Sequence, residues 1–298
     1  MKKHFKKLLL MALMAVMAVG LIACGTDKSD NESTKEEKTS VTITSLDSSK
    51  NEIELEVPYN PKRIAILDLA CLDIIDELGV GDRVVGMAST SIDYLEKYSN
   101  DASIKNLGTI KEADLEAVME CEPDIIFIGG RLSKSYDALS EIAPVVYLAT
   151  DTNEGLVNSV SKNAKTIASI FGMEDKVDSL MSDFGARIDA IKKISSGKTA
   201  LVGMTTSGSF NLLGNDGRCS LIGVEAGFNN LTAAGSTSTH GNESSFETVV
   251  QQNPDYIFVM DRDSAISTAG AKTAKEIVEN ELVKTTDAYK NNHIIYLE

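Results

Sequence analysis

The order of apolar and polar residues divides the chain into three parts. The first begins with four lysines and continues from Leu8 to Ala23 without a charge, and the second, Thr26 to Ser40, contains no apolar residue. From residue 41 onwards, short runs rich in β-branched residues alternate with stretches in which apolar side chains recur every three to four positions. This alternation predicts an α/β fold with mostly parallel sheets.

The third part supplies the predicted strands and helices. Two strands around a turn at residues 47–51 predict an N-terminal hairpin. The predicted strands are Val41–Ser45, Glu52–Val57, Arg63–Leu67, Val84–Ala88, Asp124–Gly129, Val145–Leu148, Thr199–Thr205, Phe210–Leu213, Tyr256–Met260 and Ile294–Leu297. Helices are predicted at Cys71–Leu78 and Leu115–Cys121. Two more are predicted between residues 158 and 194, with Gly172 as the C-terminal cap of the first.

A repeat at an offset of 131 residues indicates two lobes of similar build. Residues 114–131 (DLEAVMECEPDIIFIGGR) match residues 245–262 (SFETVVQQNPDYIFVMDR) at seven of eighteen positions. Both copies contain a helix, a Pro-Asp helix stop, a strand and a final arginine in the same order. We therefore predict an N-terminal lobe at 41–172, a connecting helix at 173–195 and a C-terminal lobe at 196–298.

The N-terminal region has the features of a lipoprotein signal. The charge-free run is too short for a spanning helix, which needs about 20 apolar residues, and it ends in Leu21-Ile22-Ala23-Cys24-Gly25. This motif matches the bacterial lipobox and predicts a signal peptide at 1–23, lipidation of Cys24 and a disordered tether at 24–40. The alternative is an ordinary signal peptide followed by a chance cysteine. In either case the protein is expected outside the cytoplasmic membrane.

Composition excludes several classes of function. The formal charge is -15, and it becomes -15 - 4 = -19 once residues 1–23 and their four lysines are removed, so a nucleic-acid partner is not expected. GxSxG, GxxxxGK[ST] and HExxH motifs are absent, and His240 and His293 are the two histidines after residue 23. The cysteines other than Cys24 are Cys71, Cys121 and Cys219, which we expect to be buried and unpaired.

Three arginines mark the candidate site. Arg131 and Arg262 follow strands of the two lobes, at the edge where open α/β sheets bind ligands, and Arg218 follows the turn at residues 214–217. Together they could form a permanently charged cradle for an anionic, planar ligand. The alternative is that each arginine pairs locally with an acidic residue on the surface, for instance Asp137, Asp261 or Asp263.

Three motifs resemble those of a known family. Residues 61–68 (PKRIAILD), 129–134 (GGRLSK) and 253–259 (NPDYIFV) are similar to the iron-siderophore ABC-transporter substrate-binding lipoproteins, most closely to the ferric enterobactin or petrobactin type. The resemblance covers about residues 41–298. It implies a class III fold, in which two lobes are joined by one long helix, and a monomeric receptor that passes a ferric siderophore to a membrane permease. It implies no catalysis and no permanently bound cofactor.

The resemblance also implies roles for individual residues. In this family an arginine triad holds the trianionic ferric tris-catecholate, and the matching positions are Arg131, Arg218 and Arg262. His240 matches a histidine that completes iron coordination in some relatives, although a solvent-exposed loop histidine is the alternative. Glu116 and Glu247 match glutamates that dock on the permease, although glutamate is common on helix surfaces.

One departure from the family lies at the C-terminus. Family members continue past the strand that matches residues 293–297 into a tyrosine-containing loop and a last helix, whereas this sequence stops at Glu298. Either a truncated C-terminal lobe or a different closing element is expected, and the resemblance assigns no tyrosine as a ligand. The alternative functions are binding of a hydroxamate or other iron chelate, haem or cobalamin, and a surface-anchored α/β enzyme.

Overall fold

The computed structural model describes residues 38–151, 154–233, 236–265, 270 and 272–297. The predicted signal peptide, Cys24 and nearly all of the predicted tether therefore lie outside the described residues. Strand β1 (Ser40–Leu46) begins at the last residue of that predicted tether and pairs antiparallel with β2 (Glu52–Pro58). The hairpin turn is closed by the Asp47 carboxylate, which accepts hydrogen bonds from the backbone N–H groups of Ser49 and Asn51 at 2.8 Å each.

The first half of the chain forms a parallel sheet. Its strands and two short neighbours are β3 (Ile64–Ile66), β4 (Val84–Met87), β5 (Lys105–Asn106), β6 (Gly108–Thr109), β7 (Glu112–Ala113), β8 (Ile125–Ile128) and β9 (Val145–Tyr147). The sheet order is β5-β4-β3-β8-β9, with every pair parallel, while β6 and β7 form a separate antiparallel pair. The helices of this half are α1 (Leu69–Glu77), α2 (Glu96–Ser99), α3 (Leu115–Glu120), α4 (Tyr136–Ser140) and α5 (Leu156–Phe171). Short 3₁₀ helices lie at Gly81–Arg83, Asp93–Leu95 and Gly130–Ser135.

Both faces of this sheet are buried. Along β3, Ile64 and Ile66 belong to one apolar cluster, while Ala65 belongs to a second cluster on the opposite face. Along β8, Phe127 belongs to the first of these clusters and Ile126 to the second. A strand covered on both faces needs apolar residues at consecutive positions rather than at alternate ones, and this explains the unbroken apolar runs from which the strands were predicted.

The second half forms a mostly parallel sheet of its own. Its strands are β10 (Thr199–Thr206), β11 (Ser209–Leu212), β12 (Asn229–Asn230), β13 (Tyr256–Asp261) and β14 (Ile294–Leu297), in the order β11-β10-β13-β14 with β12 beside β10. Among the described strand pairs of this sheet, only β10–β11 is antiparallel. The helices of this half are α7 (Ser220–Gly223), α8 (Phe246–Gln252), α9 (Arg262–Ala265), α10 (Ala274–Val278) and α11 (Asp287–Lys290), with a 3₁₀ helix at Val283–Thr285. Two apolar clusters again cover the two faces of the sheet.

One long helix joins the two halves. Helix α6 (Glu174–Ser195) has 22 residues, which corresponds to a length of about 33 Å. Helix α5 ends before it at Gly172, whose φ of 67° is the left-handed conformation of a helix C-cap, as the sequence predicts. Two similar α/β lobes joined by a long helix are the predicted fold class, which the structure confirms. Within the described ranges, no helix is both long enough and apolar enough to cross a membrane.

The sequence repeat is also a repeat of local structure. Helix α3 begins after Asp114, whose carboxylate accepts a hydrogen bond from the N–H of Ala117 at 3.0 Å. At the equivalent position, the hydroxyl of Ser245 accepts from the N–H of Thr248 at 3.4 Å before α8. A left-handed residue other than glycine follows each helix at the equivalent position: Glu122, with φ 43°, lies 131 residues before Asn253, with φ 40°. The repeat therefore preserves how each helix begins and ends.

The Pro-Asp pair of each repeat ties its strand to the neighbouring strand. The Asp124 carboxylate accepts hydrogen bonds from the backbone N–H groups of Lys62 and Arg63 at 2.7 and 2.9 Å. The Asp255 carboxylate accepts from the N–H of Thr199 at 2.8 Å, and this bond, together with others, lowers the pKa of Asp255. In each lobe, a carboxylate thus links the two central strands at the point where they begin.

Candidate ligand-binding site

Arg131 lies in the 3₁₀ helix Gly130–Ser135 that follows β8, at the C-terminal edge of the first sheet. Gly129, which precedes this segment, lies so close to the start of α1 that a Cβ atom at this position would clash with the Asp68 carboxylate. The Arg131 side chain is exposed, and none of the ion pairs among the described residues includes it. Local pairing of Arg131 with Asp137 is therefore not observed.

Arg262 is the first residue of α9 and directly follows β13. One nitrogen of its guanidinium group, Nη1, donates a hydrogen bond to Thr206 Oγ1 at 3.2 Å. The same nitrogen lies 3.4 Å from Asp263 Oδ1, so Arg262 does pair with an acidic neighbour. Its side chain remains 29% exposed, whereas that of Asp263 is 5% exposed. Arg262 is thus held in place at the edge of the second sheet while part of it faces solvent.

Arg218 lies on a loop between β11 and α7. Cys219, the next residue, has a φ of 61°, and α7 after it has only four residues, so its dipole adds little to the local potential. Arg218 is exposed and makes no ion pair with a described carboxylate. It borders a cavity of about 250 Å³, which is lined by Leu213, Gly214, Asp216, Gly217, Arg218, Thr237, Ser238 and Thr239.

The loop that carries His240 is tied to the loop that carries Arg218. The Thr237 N–H donates to the Asp216 carboxylate at 2.7 Å, and the Thr237 hydroxyl accepts from the N–H of Gly214 at 2.9 Å. The hydrogen bonds from the Thr237 side chain and backbone lower the pKa of Asp216. His240 itself is exposed, and its carbonyl oxygen accepts from the Asn211 amide at 2.9 Å. The structure thus brings Arg218 and His240 onto neighbouring loops.

The structure does not join all the predicted site residues directly. Arg131 belongs to the first lobe and the other predicted ligand residues to the second, and no hydrogen bond or ion pair of the described residues links the three arginines to one another. Their convergence on one ligand stays a prediction. In the described ranges, no group of three or more His, Cys, Asp or Glu side chains is arranged to hold a metal ion.

The two candidate docking glutamates occupy equivalent positions. Glu116 is exposed in the first turn of α3 and Glu247 in the first turn of α8. A hydrogen bond from the Ser245 side chain lowers the pKa of Glu247. A negative charge in the first turn also stabilises the helix itself, so the position of either glutamate alone is explained without a partner. Their role in docking therefore stays a prediction.

Two features of the molecule lie outside the predicted site. A mostly apolar cavity of about 570 Å³ lies between α1, α5 and α6 and contains none of the predicted ligand residues. Cys71 and Cys121 are buried and unpaired as predicted, whereas Cys219 is also unpaired but only half-buried.

Sequence reasoning missed the residues that shape the site around its arginines. The sequence predicts no role for Thr206, and for Asp263 it predicts only local pairing with an arginine. Asp216 and Thr237, which connect two loops, carry no recognisable motif. Their contacts depend on strand register and loop packing, and these are visible only in the folded chain.

Comparisons with known proteins point to one family. The family model described as periplasmic binding protein matches residues 64–298. The petrobactin-binding protein YclQ of Bacillus subtilis is 36% identical over 303 residues, which cover 98% of this chain and 91% of YclQ. Its crystal structure superimposes with a TM-score of 0.78 over 87% of this chain and 89% of that one. The catecholate-siderophore-binding protein VctP of Vibrio cholerae is 30% identical, with a TM-score of 0.77 over 87% and 91%.

Proposed function

This chain belongs to the periplasmic binding protein family, and from that premise we propose that it is the substrate-binding lipoprotein of an ABC importer for a ferric catecholate siderophore. It captures the siderophore between its two lobes and delivers it to the membrane permease, without catalysing a reaction. The observation that carries this proposal is the 36% identity, over 98% of the chain, to a protein named for petrobactin binding.

The three arginines provide the chemistry that such a ligand needs. A ferric tris-catecholate carries three negative charges on a delocalised surface, and guanidinium groups remain charged at every physiological pH. Arg131 and Arg218 have no carboxylate partner among the described residues, so their charges are available to a ligand. The proposed site is locally cationic although the formal charge of the chain is -15.

His240 is proposed as a direct ligand of the ferric ion when a siderophore leaves coordination positions open. Its exposure and its place on the loop beside Arg218 support this role. The iron is part of the transported substrate rather than a resident cofactor. If His240 coordinates iron, the charge-transfer absorption of the bound complex will change in the variant His240→Ala; an unchanged spectrum would remove His240 from the coordination shell.

Anchoring and docking complete the proposal. The lipobox that ends at Cys24 supports attachment to the outer face of the cytoplasmic membrane by acyl chains. The equivalent, exposed positions of Glu116 and Glu247 support one acidic contact from each lobe with basic residues of the permease. We propose that the receptor works as a monomer, since one copy carries both contacts.

Titration with a panel of ferric chelates tests the function. We expect the mature protein to bind ferric petrobactin and ferric enterobactin in a one-to-one complex, and to bind neutral ferric hydroxamates, haem and cobalamin more weakly. Native mass spectrometry is the suitable measurement because the chain contains no tryptophan for fluorescence quenching. Tighter binding of a neutral hydroxamate, haem or cobalamin than of every catecholate would contradict the proposal, and a hydrolase screen on the same sample tests the enzyme alternative.

Charge reversal at the docking glutamates separates delivery from binding. In the double variant Glu116→Lys/Glu247→Lys, we expect uptake of radioiron-labelled ferric petrobactin to fall by about tenfold or more, because two opposite-charge contacts become repulsive. Ferric petrobactin binding by the purified variant should stay unchanged. Glu174→Lys/Asp175→Lys, in the first turn of α6, changes the net charge by the same amount and is the matched control. Normal uptake by the double variant would exclude these glutamates from docking.

A further inference from the structure

We propose that Asp263 and Thr206 are positioning residues, which hold the guanidinium group of Arg262 in the orientation that binds the siderophore. This inference rests on the proposed function and adds two residues that do not themselves touch the ligand. It follows from the register of two neighbouring strands, from the burial of Asp263 and from a comparison between the two lobes.

The register of β10 and β13 continues beyond the ends of both strands. Parallel pairing aligns Ala200 with Tyr256 and Thr205 with Asp261, an offset of 56 residues. At the same offset, Arg262 Nη1 donates to Thr206 Oγ1, and the next backbone N–H, that of Ser207, donates to Asp263 Oδ2 at 2.7 Å. Thr206 and Asp263 therefore reach Arg262 because the sheet places them there.

Asp263 is anchored from two sides. Its carboxylate accepts from Ser207, which begins the two-residue turn of the β10–β11 hairpin; Ser207 and Gly208 have φ values of 52° and 78°, as in a type I′ turn. Its other oxygen faces Arg262 at 3.4 Å. The residue is only 3% exposed, and a buried carboxylate is stable only when it is paired and hydrogen-bonded. Asp263 is thus a fixed support for the arginine.

Only one nitrogen of Arg262 is used by these supports. Both contacts involve Nη1, and no hydrogen bond among the described residues involves Nε or Nη2. The Nε–Nη2 edge is the planar fork that binds two oxygens of an anion at once. Holding Nη1 while this edge remains unpaired lowers the conformational entropy that the side chain loses on binding.

The other lobe lacks this arrangement. The repeat places Leu132 at the position of Asp263, and β3 already ends at Ile66, so the first sheet has no strand residue at the position of Thr206. The Leu132 side chain cannot accept a hydrogen bond from Arg131, and Arg131 has no ion pair with a described residue. The two arginines at equivalent positions therefore differ in mobility: Arg262 is held before the ligand arrives, and Arg131 is ordered by the ligand.

A double-mutant cycle tests the proposal with ferric petrobactin as the probe. We expect Asp263→Ala to weaken binding by about tenfold, and Thr206→Val, which keeps the shape of the side chain, by about threefold. In the Arg262→Ala background both substitutions should change the affinity by less than about twofold, because the residue that they position is gone. Ser264→Ala, which removes a hydroxyl bound to Asp261 rather than to Arg262, is the matched control and should bind normally.

The other outcomes overturn the inference. If Asp263→Ala lowers the affinity for ferric petrobactin equally with and without Arg262, Asp263 only stabilises the hairpin. If Asp263→Ala binds ferric petrobactin more tightly than the unsubstituted protein, Asp263 competes with the ligand for Arg262. If Asp263→Ala does not fold, Asp263→Asn, which retains an acceptor for Ser207, and Thr206→Val complete the cycle. Absence of ferric catecholate binding by the unsubstituted protein would refute the proposed function itself, a result distinct from any result of the variants.

Discussion

Replacing Arg262 with alanine is expected to weaken the binding of ferric petrobactin by about ten- to a hundredfold. The substitution removes a cation and its charge-assisted hydrogen bonds, each worth about 1.5–3 kcal/mol, and a factor of ten in affinity corresponds to about 1.4 kcal/mol. It also leaves the buried carboxylate of Asp263 without its partner. Affinity measured by native mass spectrometry, together with the thermal unfolding midpoint, separates loss of the site from loss of the fold.

A matched control distinguishes a local contact from a change in net charge. Arg187 is an exposed arginine on α6, and it is outside the predicted site. Arg187→Ala changes the net charge by the same amount and should leave the affinity within about twofold. If Arg131→Ala, Arg218→Ala and Arg262→Ala all bind as tightly as the unsubstituted protein, the arginine cradle is wrong.

The largest expected loss of stability is that of Phe127→Ala. Phe127 is fully buried in β8, an inner strand of the first sheet that lies between β3 and β9. Removing a buried phenylalanine side chain costs about 3–5 kcal/mol, because the surrounding core relaxes only partly into the cavity. For a protein of this size that loss lowers the unfolding midpoint by roughly 6 to 20 °C.

Calorimetry is the measurement for this variant, because two lobes can unfold in separate transitions. Tyr94→Ala, which truncates an aromatic side chain that is 65% exposed, is the control and should shift the midpoint by less than about 2 °C. A midpoint for Phe127→Ala equal to that of the control would show that the core around β8 does not limit the stability of the protein.

Much of the fold can be predicted from the sequence because neighbouring residues specify each strand and helix. The strands are continuous apolar runs since both faces of each sheet are covered, and the two long helices follow from their apolar spacing and from Gly172. Observed bounds differ from the predicted ones by at most two residues; β3, for example, is Ile64–Ile66 rather than Arg63–Leu67. The short elements, such as β12 and α7, were not predicted because two to four residues are too few to show a period.

The site was predicted less completely than the fold. Comparison of the repeats located Arg131 and Arg262 at strand ends, and the structure places both there. The link between the loops of Arg218 and His240 through Asp216 and Thr237 was not predicted. A contact of this kind joins two irregular segments, and their conformations depend on the rest of the lobe.

The sequence by itself therefore determined the α/β class, the repeat, the long connecting helix and the positions of the charged residues, because apolar periodicity and residue type are properties of the chain. Only the tertiary structure decided that Thr206 and Asp263 hold Arg262, whereas Leu132, at the position equivalent to Asp263, offers Arg131 no such support. The reason is the parallel register of β10 and β13, which brings residues 56 positions apart into contact. Such a register is fixed by packing both sheet faces at once, and no local segment of the sequence contains it.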